Sequence, residues 1–428
     1  MLPLAMPRPT AQGGALPSSV FPDLAIDFQS GSYLSGTGME APSAVPFSSL
    51  ITVNRGSVAT YFDATGTLQS ATTNQARLDH DPYTEEALGL LIEPSATNLL
   101  TRSESLDDSN WAKNGAATVS ANQGPAPDGT TTADLIDIGV TGSGLGPHRI
   151  AQGASVSPNT DYTASIYVQS DDAEFLNIRI FGNGGTDAIV DFDLTNNAVA
   201  ASNGGQIFAS VTPISSQMKR LAVTVRSGAA NTYLNMRIGG PIYSMNTGTG
   251  VFAWGAQLEA GLKASSYIAT ASSAATRQAD VVTMPSASWY SAPYGTFQIA
   301  WQSQEANAEP LILLRDASGA DQGVLLAGNG ATVLTGTGNT VDLNLTASTI
   351  GAPHQLCARI DGGSIAVSRD GDAAVEQSLS ALPTGLDETR LGVDAALSTD
   401  QFDGWIRALS HWAEPFSNQK LAQLSNPS

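Results

Sequence analysis

Residues 161–182 read DYTASIYVQSDDAEFLNIRIFG, and two alternations in this stretch decide the fold class. In DYTASIYVQS, Tyr162, Ala164, Ile166 and Val168 fall on one face of an extended chain, because successive side chains of a strand point to opposite sides. In FLNIRIFG, Leu176, Ile178 and Ile180 face one way while Asn177 and Arg179 face the other. One dry face and one wet face is what each sheet of a two-sheet sandwich requires.

Outward from this stretch the same pattern recurs. Between about 101 and 280 the segments TADLIDI, AIVDFDL, GQIFASVTPI, KRLAVTVRSG, TYLNMRIGG and VFAWGAQLEAG follow one another at sandwich spacing. After Arg277-Gln278-Ala279-Asp280 a further series runs from GTFQIAWQSQ through HQLCARIDGG and SIAVSRDG, with turns expected at Asp361-Gly362-Gly363 and Asp370-Gly371. Only the tail, SNQKLAQLS, reads as a helix, capped by Ser417 or Asn418, with Leu421 and Leu424 on one face. Upstream, ITVNRGSVATYFDATGTLQ has the form of a hairpin and LGLLIEP that of a short strand stopped by Pro94. Residues 1 to about 30, rich in Pro, Gly, Ala and Ser, read as an attachment arm. The expected architecture is all-β: tandem antiparallel β-sandwiches, or jelly rolls, preceded by an extended N-terminal arm. Its divisions are 1–100 for the arm and a small β region, 101–280 for a jelly roll, and 281–428 for a second sandwich.

Composition agrees and narrows the function. The 428 residues are 42% apolar and only 14% charged, a profile that suits sheets and turns better than long helices. A formal charge of −20, from 39 acidic and 19 basic residues, repels a nucleic-acid backbone, and no basic stripe offsets it. The single cysteine, Cys357, rules out an intrachain disulfide framework and sits in a strand-like setting as an inert core thiol. The start lacks the basic flank and apolar run of a signal peptide, and no segment approaches the ~20 apolar residues of a membrane span. The expectation is a chain made in the cytosol, not inserted in a membrane, and carried outside by other means.

Catalytic signals are thin. The GSGLG of Gly142–Gly146 has no helix after it to cradle a phosphate. His80, His148, His354 and His411 are too dispersed for metal-ligand spacing. Asp79, His80 and Asp81 form the densest cluster and read as a solvated turn. Nothing nominates a glycosidase carboxylate pair among the 39 acids, so no enzyme is expected. Sugar recognition on a sheet needs an aromatic to cover a pyranose face and polar groups for its hydroxyls. Tyr233 alternates with Asn235 and Arg237, and Asn177 and Arg179 occupy the polar face of another strand. These five converge if the two strands share a sheet; otherwise Tyr233 is a half-buried residue on a solvated face. Trp111 and Trp254 read as core, Trp405 and Trp412 as core and rim of the last sandwich, and Trp289, Tyr290 and Tyr294 as an interdomain hinge contact ahead of an exposed patch.

Two stretches carry a resemblance. ARLDHDPYTEEALGLLIEPSATNLLTRSESLDDSNWAKNG (76–115), through Gly89-Leu90, Ile92-Glu93, Thr97-Asn98-Leu99-Leu100, Ser103-Glu104 and Trp111, resembles a segment of bacteriophage and gene-transfer-agent head-spike and tail-fibre proteins. FAWGAQLEAGLKASSYIATASSAATRQAD (252–280) is similar to the ending of those modules, through Trp254, Gln257-Leu258-Glu259, Gly261, Ser266-Tyr267-Ile268, Thr270, Arg277 and Asp280. The sandwich between them resembles carbohydrate-binding jelly rolls, and the C-terminal block resembles concanavalin or laminin-G-like sandwiches. The resemblance implies a spike or fibre on the virion surface, more readily on the head than the tail, that adsorbs to host capsular or surface polysaccharide. Its implied partners are that polysaccharide, other virion proteins and further copies of itself. A structural decoration or adaptor protein, or a tail fibre, is the alternative. Such jelly rolls frequently hold a structural calcium ion, for which Asp191, Asp193 and Glu259 are the candidates.

Overall fold

In a computed structural model, the structure describes residues 21–36, 40–284, 294–304, 310–315, 322–335, 340–380, 386, 388–393 and 401–427. The chain forms two antiparallel β-sandwiches, as the alternation predicts. In the middle sandwich one six-stranded sheet runs, in spatial order, Ala112–Asn114, Arg149–Ser155, Tyr233–Gly239, Phe175–Gly182, Asp187–Asp193 and Ala198–Gly204. We call it the outer sheet. The inner sheet facing it has the order Thr118–Gly124, Ala133–Asp137, Gly250–Ala260, Asp161–Ser170, Met218–Arg226 and Gln206–Pro213. Ile166, Val223 and Leu258 from the inner sheet meet Ile178, Val190 and Met236 from the outer one, all buried. Trp111 joins this core, as expected.

The second sandwich pairs a ten-stranded with a seven-stranded sheet. Here the expected division at residue 100 gives way. Leu24–Asp27 pairs with Gly404–Trp412, Ala87–Ile92 pairs with the same strand, and Thr52–Asn54 pairs with Val281–Met284. Leu24, Ile26, Val53 and Ile92 share one core with Ile299, Leu314 and Ile406. Residues 21–30 of the expected arm are therefore sheet and turn, and its first twenty lie outside the described residues. The middle sandwich is an insertion between two halves of the C-terminal one, and local pattern carries no sign of that long-range pairing. The predicted hairpin forms at Ala59–Phe62 and Leu68–Ala71, and the final helix at Asn418–Leu424 with Ser417 as its cap. Among the described residues no helix is long and apolar enough to cross a membrane.

The way the two sandwiches meet decides which surface stays open. The back of the inner sheet presents Tyr167 and Trp254, and these pack with Tyr267, Leu68 and Phe62 from the segments laid over them. Thr60 of the hairpin donates to the Tyr267 carbonyl at 2.7 Å, and Arg220 donates to that of Ser265 at 2.7 Å. That side is spent on the junction. Among the described residues the outer sheet has no such cover over Tyr233 and Phe181, both exposed, so this is the open face of the middle sandwich.

Candidate functional site

Three neighbouring strands build the free face. Tyr233–Gly239 lies between Arg149–Ser155 and Phe175–Gly182, with Gly153, Asn235 and Phe181 as direct partners across the row. In the next row Arg237 stands opposite Arg179. The two strands singled out from sequence are thus neighbours, and four of the five candidate residues share one surface.

Tyr233 is 41% exposed. Its phenol lies diagonally across the adjacent strand over Gly153, in the space a Cβ there would occupy. Glycine at 153 is what lets an aromatic lie along the sheet instead of standing away from it. On the other side of the row, Phe181 is 39% exposed, with the Arg237 guanidinium 4.4 Å and that of Arg179 5.5 Å from its ring centre. Asn235 between them accepts from Arg237 Nε at 2.9 Å and so aims that guanidinium. Arg179 is held by both oxygens of Asp187, at 2.7 and 2.6 Å, and this pairing raises its pKa. Beyond Arg179, exposed Tyr243 accepts at its hydroxyl from Asn203 at 3.0 Å.

Asn177 corrects the expectation. It is only 4% exposed, and its amide donates to the Val190 carbonyl at 3.1 Å and to Asp191 at 2.7 Å. Asp191 in turn accepts from the backbone N–H groups of Ile242, Tyr243 and Ser244. The loop after Gly239 folds back over this end of the sheet and closes it, so Asn177 is a structural residue.

The calcium candidates do not assemble. Asp191 is saturated by those donors, and Asp193 accepts from the turn N–H groups of Thr195 and Asn196. Glu259 is buried on the inner sheet and accepts from Gln257 at 2.6 Å and from the Ser265 N–H at 2.9 Å. Two sheets separate them, and among the described residues no group of three His, Cys, Asp or Glu could hold a metal. This donor set does not fit a calcium ion.

The other candidates resolve individually. Trp254 is buried, though at the junction and not inside the sandwich. Trp405 donates its indole N–H to Asp79 at 2.8 Å. Asp79 is therefore no solvated turn residue; it is buried, and burial pushes its carboxyl up to about 6 even though the Phe62 N–H and Trp405 donate to it. Tyr294 is exposed, while Trp289 and Tyr290 lie outside the described residues. Cys357 is buried against Leu421, its thiol pKa raised by burial.

Sequence reasoning missed Gly153, Phe181, Asp187 and Tyr243. Phe181 was within reach: the alternation that puts Asn177 and Arg179 outward puts Phe181 there too. The others depend on pairing between distant strands.

No family model matches the chain, and no curated protein matches it. Among solved structures it is similar to the Ruminococcus gnavus IT-sialidase CBM40 bound to alpha2,6 sialyllactose, at 16% identity over 32% of this chain and 84% of that one, TM-score 0.28. It is also similar to domain 4 of AbnA, a GH43 extracellular arabinanase from Geobacillus stearothermophilus in complex with arabinotriose, at 16% identity over 34% and 73%, TM-score 0.29. A third likeness is to mouse laminin alpha1 domains LG4-5, at 12% identity over 61% and 86%, TM-score 0.23. At such scores the sandwich assignment rests on the strand pairing above and not on these likenesses.

Proposed function

We propose that the protein binds glycan on the outer sheet of its middle sandwich, and that it does so as a virion-surface spike or fibre adsorbing to host polysaccharide. The observation that carries the glycan reading is Tyr233 lying across Gly153 on the open face of the outer sheet, with Asn235 and Arg237 beside it. An aromatic held along a sheet offers an apolar platform to a pyranose, and the flanking amide and guanidinium supply bonds to its substituents. The spike reading is supported by the two bracketing motifs. Their residues form the frame of the middle sandwich and its junction: Asn98 donates to the carbonyls of Ala256 and Ile268, Ser103 bonds the Tyr267 hydroxyl, and Arg77 pairs with Glu93 and Asp280. A frame of this kind leaves the outer sheet free to serve binding. Weak sites repeated on a particle gain strength through avidity. This is a binding protein and not an enzyme.

The test is adhesion of the full chain to encapsulated bacterial strains and to their capsule-deficient derivatives. Adhesion is expected to vanish with the capsule and to weaken about tenfold in Tyr233→Ala, as for an aromatic at the centre of a contact, while Tyr233→Phe keeps most of it. Equal adhesion to both kinds of cell would leave a structural decoration or adaptor role, for which exposed Ile207 and Phe208 on the edge strand Gln206–Pro213 offer a contact.

A further inference from the structure

The charge on the free face runs against that of the whole chain. Within a molecule of net charge −20, Arg149, Arg179 and Arg237 stand on adjoining strands of one surface with Asp187 as their nearby acid. Asp187 is already committed to Arg179 through both of its oxygens. Arg149 donates to the carbonyl of Gly146 at 2.8 Å and forms no ion pair among the described residues. Among the described residues Arg237 is bonded through Nε to Asn235, neither of its Nη groups has a hydrogen-bond partner, and no carboxylate lies within ion-pair range of it. The guanidinium is nevertheless fixed, stacked 4.4 Å from the Phe181 ring centre.

A guanidinium held rigid by a ring and an amide, with its two Nη donors open, matches the two oxygens of a carboxylate. Among the described residues none supplies that carboxylate. The arginine pays for this in its own protonation: burial lowers the Arg237 pKa, and the neighbouring charges of Arg149 and Arg179 lower it further. An anion on this face would relieve that repulsion.

Resting on the glycan reading above, we infer that the site takes a carboxylated polysaccharide, with an acid group of the chain seated on the Arg237 fork and a neighbouring sugar ring on Tyr233. The geometry sets the size of the ligand. Gly153, Asn235 and Phe181 form one cross-strand row, with Tyr233 leaning onto its Gly153 end and Arg237 onto its Phe181 end. Two strand spacings separate those ends, about 10 Å, which is wider than one pyranose ring. The contact therefore needs at least two linked sugars, and a free acidic monosaccharide does not fill it. The arginines also remove the need for a bridging cation, since Asp187 is already spent on Arg179.

The experiment measures binding of the full chain to polygalacturonate, alginate, hyaluronate and polysialic acid, each beside its carboxyl-reduced neutral form, and to dextran sulfate. The expected result is binding to at least one acidic polymer, weakened tenfold or more by carboxyl reduction. It falls as salt rises, persists in chelator, and is not competed by the acidic monosaccharide. Arg237→Gln loses it, Arg237→Lys recovers only part, and Arg226→Gln, the same charge change on the Met218–Arg226 strand of the other sheet, keeps it. Equal binding to the reduced polymer overturns the carboxylate while leaving glycan recognition standing. Equal binding to dextran sulfate, or equal loss in Arg226→Gln, reduces the effect to bulk charge and overturns it as well. Binding to none of the polymers also overturns it; adhesion to encapsulated cells then decides whether the glycan reading survives.

Discussion

Asn177 and Arg179 sit two residues apart on one strand and one face, yet only Arg179 belongs to the open surface. The difference is made elsewhere, where the backbone after Gly239 closes over Asp191 and draws the Asn177 amide in with it. Asp79 shows the same dependence on distant chain. Its neighbours in sequence suggest water, while the fold buries it between Phe62 and Trp405. Burial raises its carboxyl from 3.8 to about 6, so between those values the folded state holds a proton that the unfolded state has released. Stability from this group is full below about pH 4 and is lost as pH rises through about 6. Wild type should lose on the order of 3 kcal/mol relative to Asp79→Asn between pH 4 and pH 7. Urea titrations at both pH values check this, and parallel behaviour of the two proteins would refute it. Period-two alternation made the outward direction of Tyr233, Asn235, Arg237 and Arg179 legible because direction is a local property of a strand. Which outward residue stays wet, or what covers it, is decided by contacts that no local window contains.

Whole strands divide along the same line. Asp161–Ser170 and Phe175–Gly182 were readable because their dry faces are complete within themselves, and the helix at Asn418–Leu424 because its cap and its apolar residues are all local. Leu24–Asp27 was not. Four residues among prolines and serines look like part of an arm, and only pairing with Ser32–Ser35 on one side and with the chain's last strand on the other makes them a central strand. The consequence is energetic. Ile26 is fully buried in the core of the C-terminal sandwich, so Ile26→Ala should cost about 2–5 kcal/mol, as a buried aliphatic truncation does. Denaturant unfolding checks this when followed by tryptophan fluorescence with Trp111 and Trp254 of the middle sandwich replaced by Phe in both proteins, so that Trp301, buried in the same core as Ile26, contributes to the signal of that sandwich. A variant with an unchanged midpoint would mean that the strand is an appendage after all.

At the scale of the molecule, the insertion of one sandwich into another requires both chain crossings to be held in place, and the structure holds them with buried charge. Glu93 lies where the chain leaves the C-terminal sandwich and Asp280 where it returns, and Asp280 is buried: Arg55 meets it at 2.7 Å and Arg77 bridges it to Glu93, which Arg77 meets at 2.6 Å. Burial alone would raise the Glu93 carboxyl, but Arg277 and Arg77 hold it well below the usual range. Gln401 from the end of the chain donates to the carbonyls of both Glu93 and Asp280, at 3.2 and 2.8 Å. Such a set fixes geometry more than it adds stability, because desolvation offsets most of the attraction, whereas removing one member leaves its partners charged and buried. Arg77→Met should therefore cost about 3–5 kcal/mol and loosen the junction, exposing the backbone near 93 and 280 to protease before either sandwich unfolds. Lys263→Ala, which removes a partly exposed pair with Asp403 at the same junction, should cost about 1 kcal/mol or less. Calorimetry and limited proteolysis of the two variants side by side decide the matter: if Arg77→Met behaves like Lys263→Ala, the junction is held by its apolar contacts and the buried ions are incidental to the docking that leaves the outer sheet free.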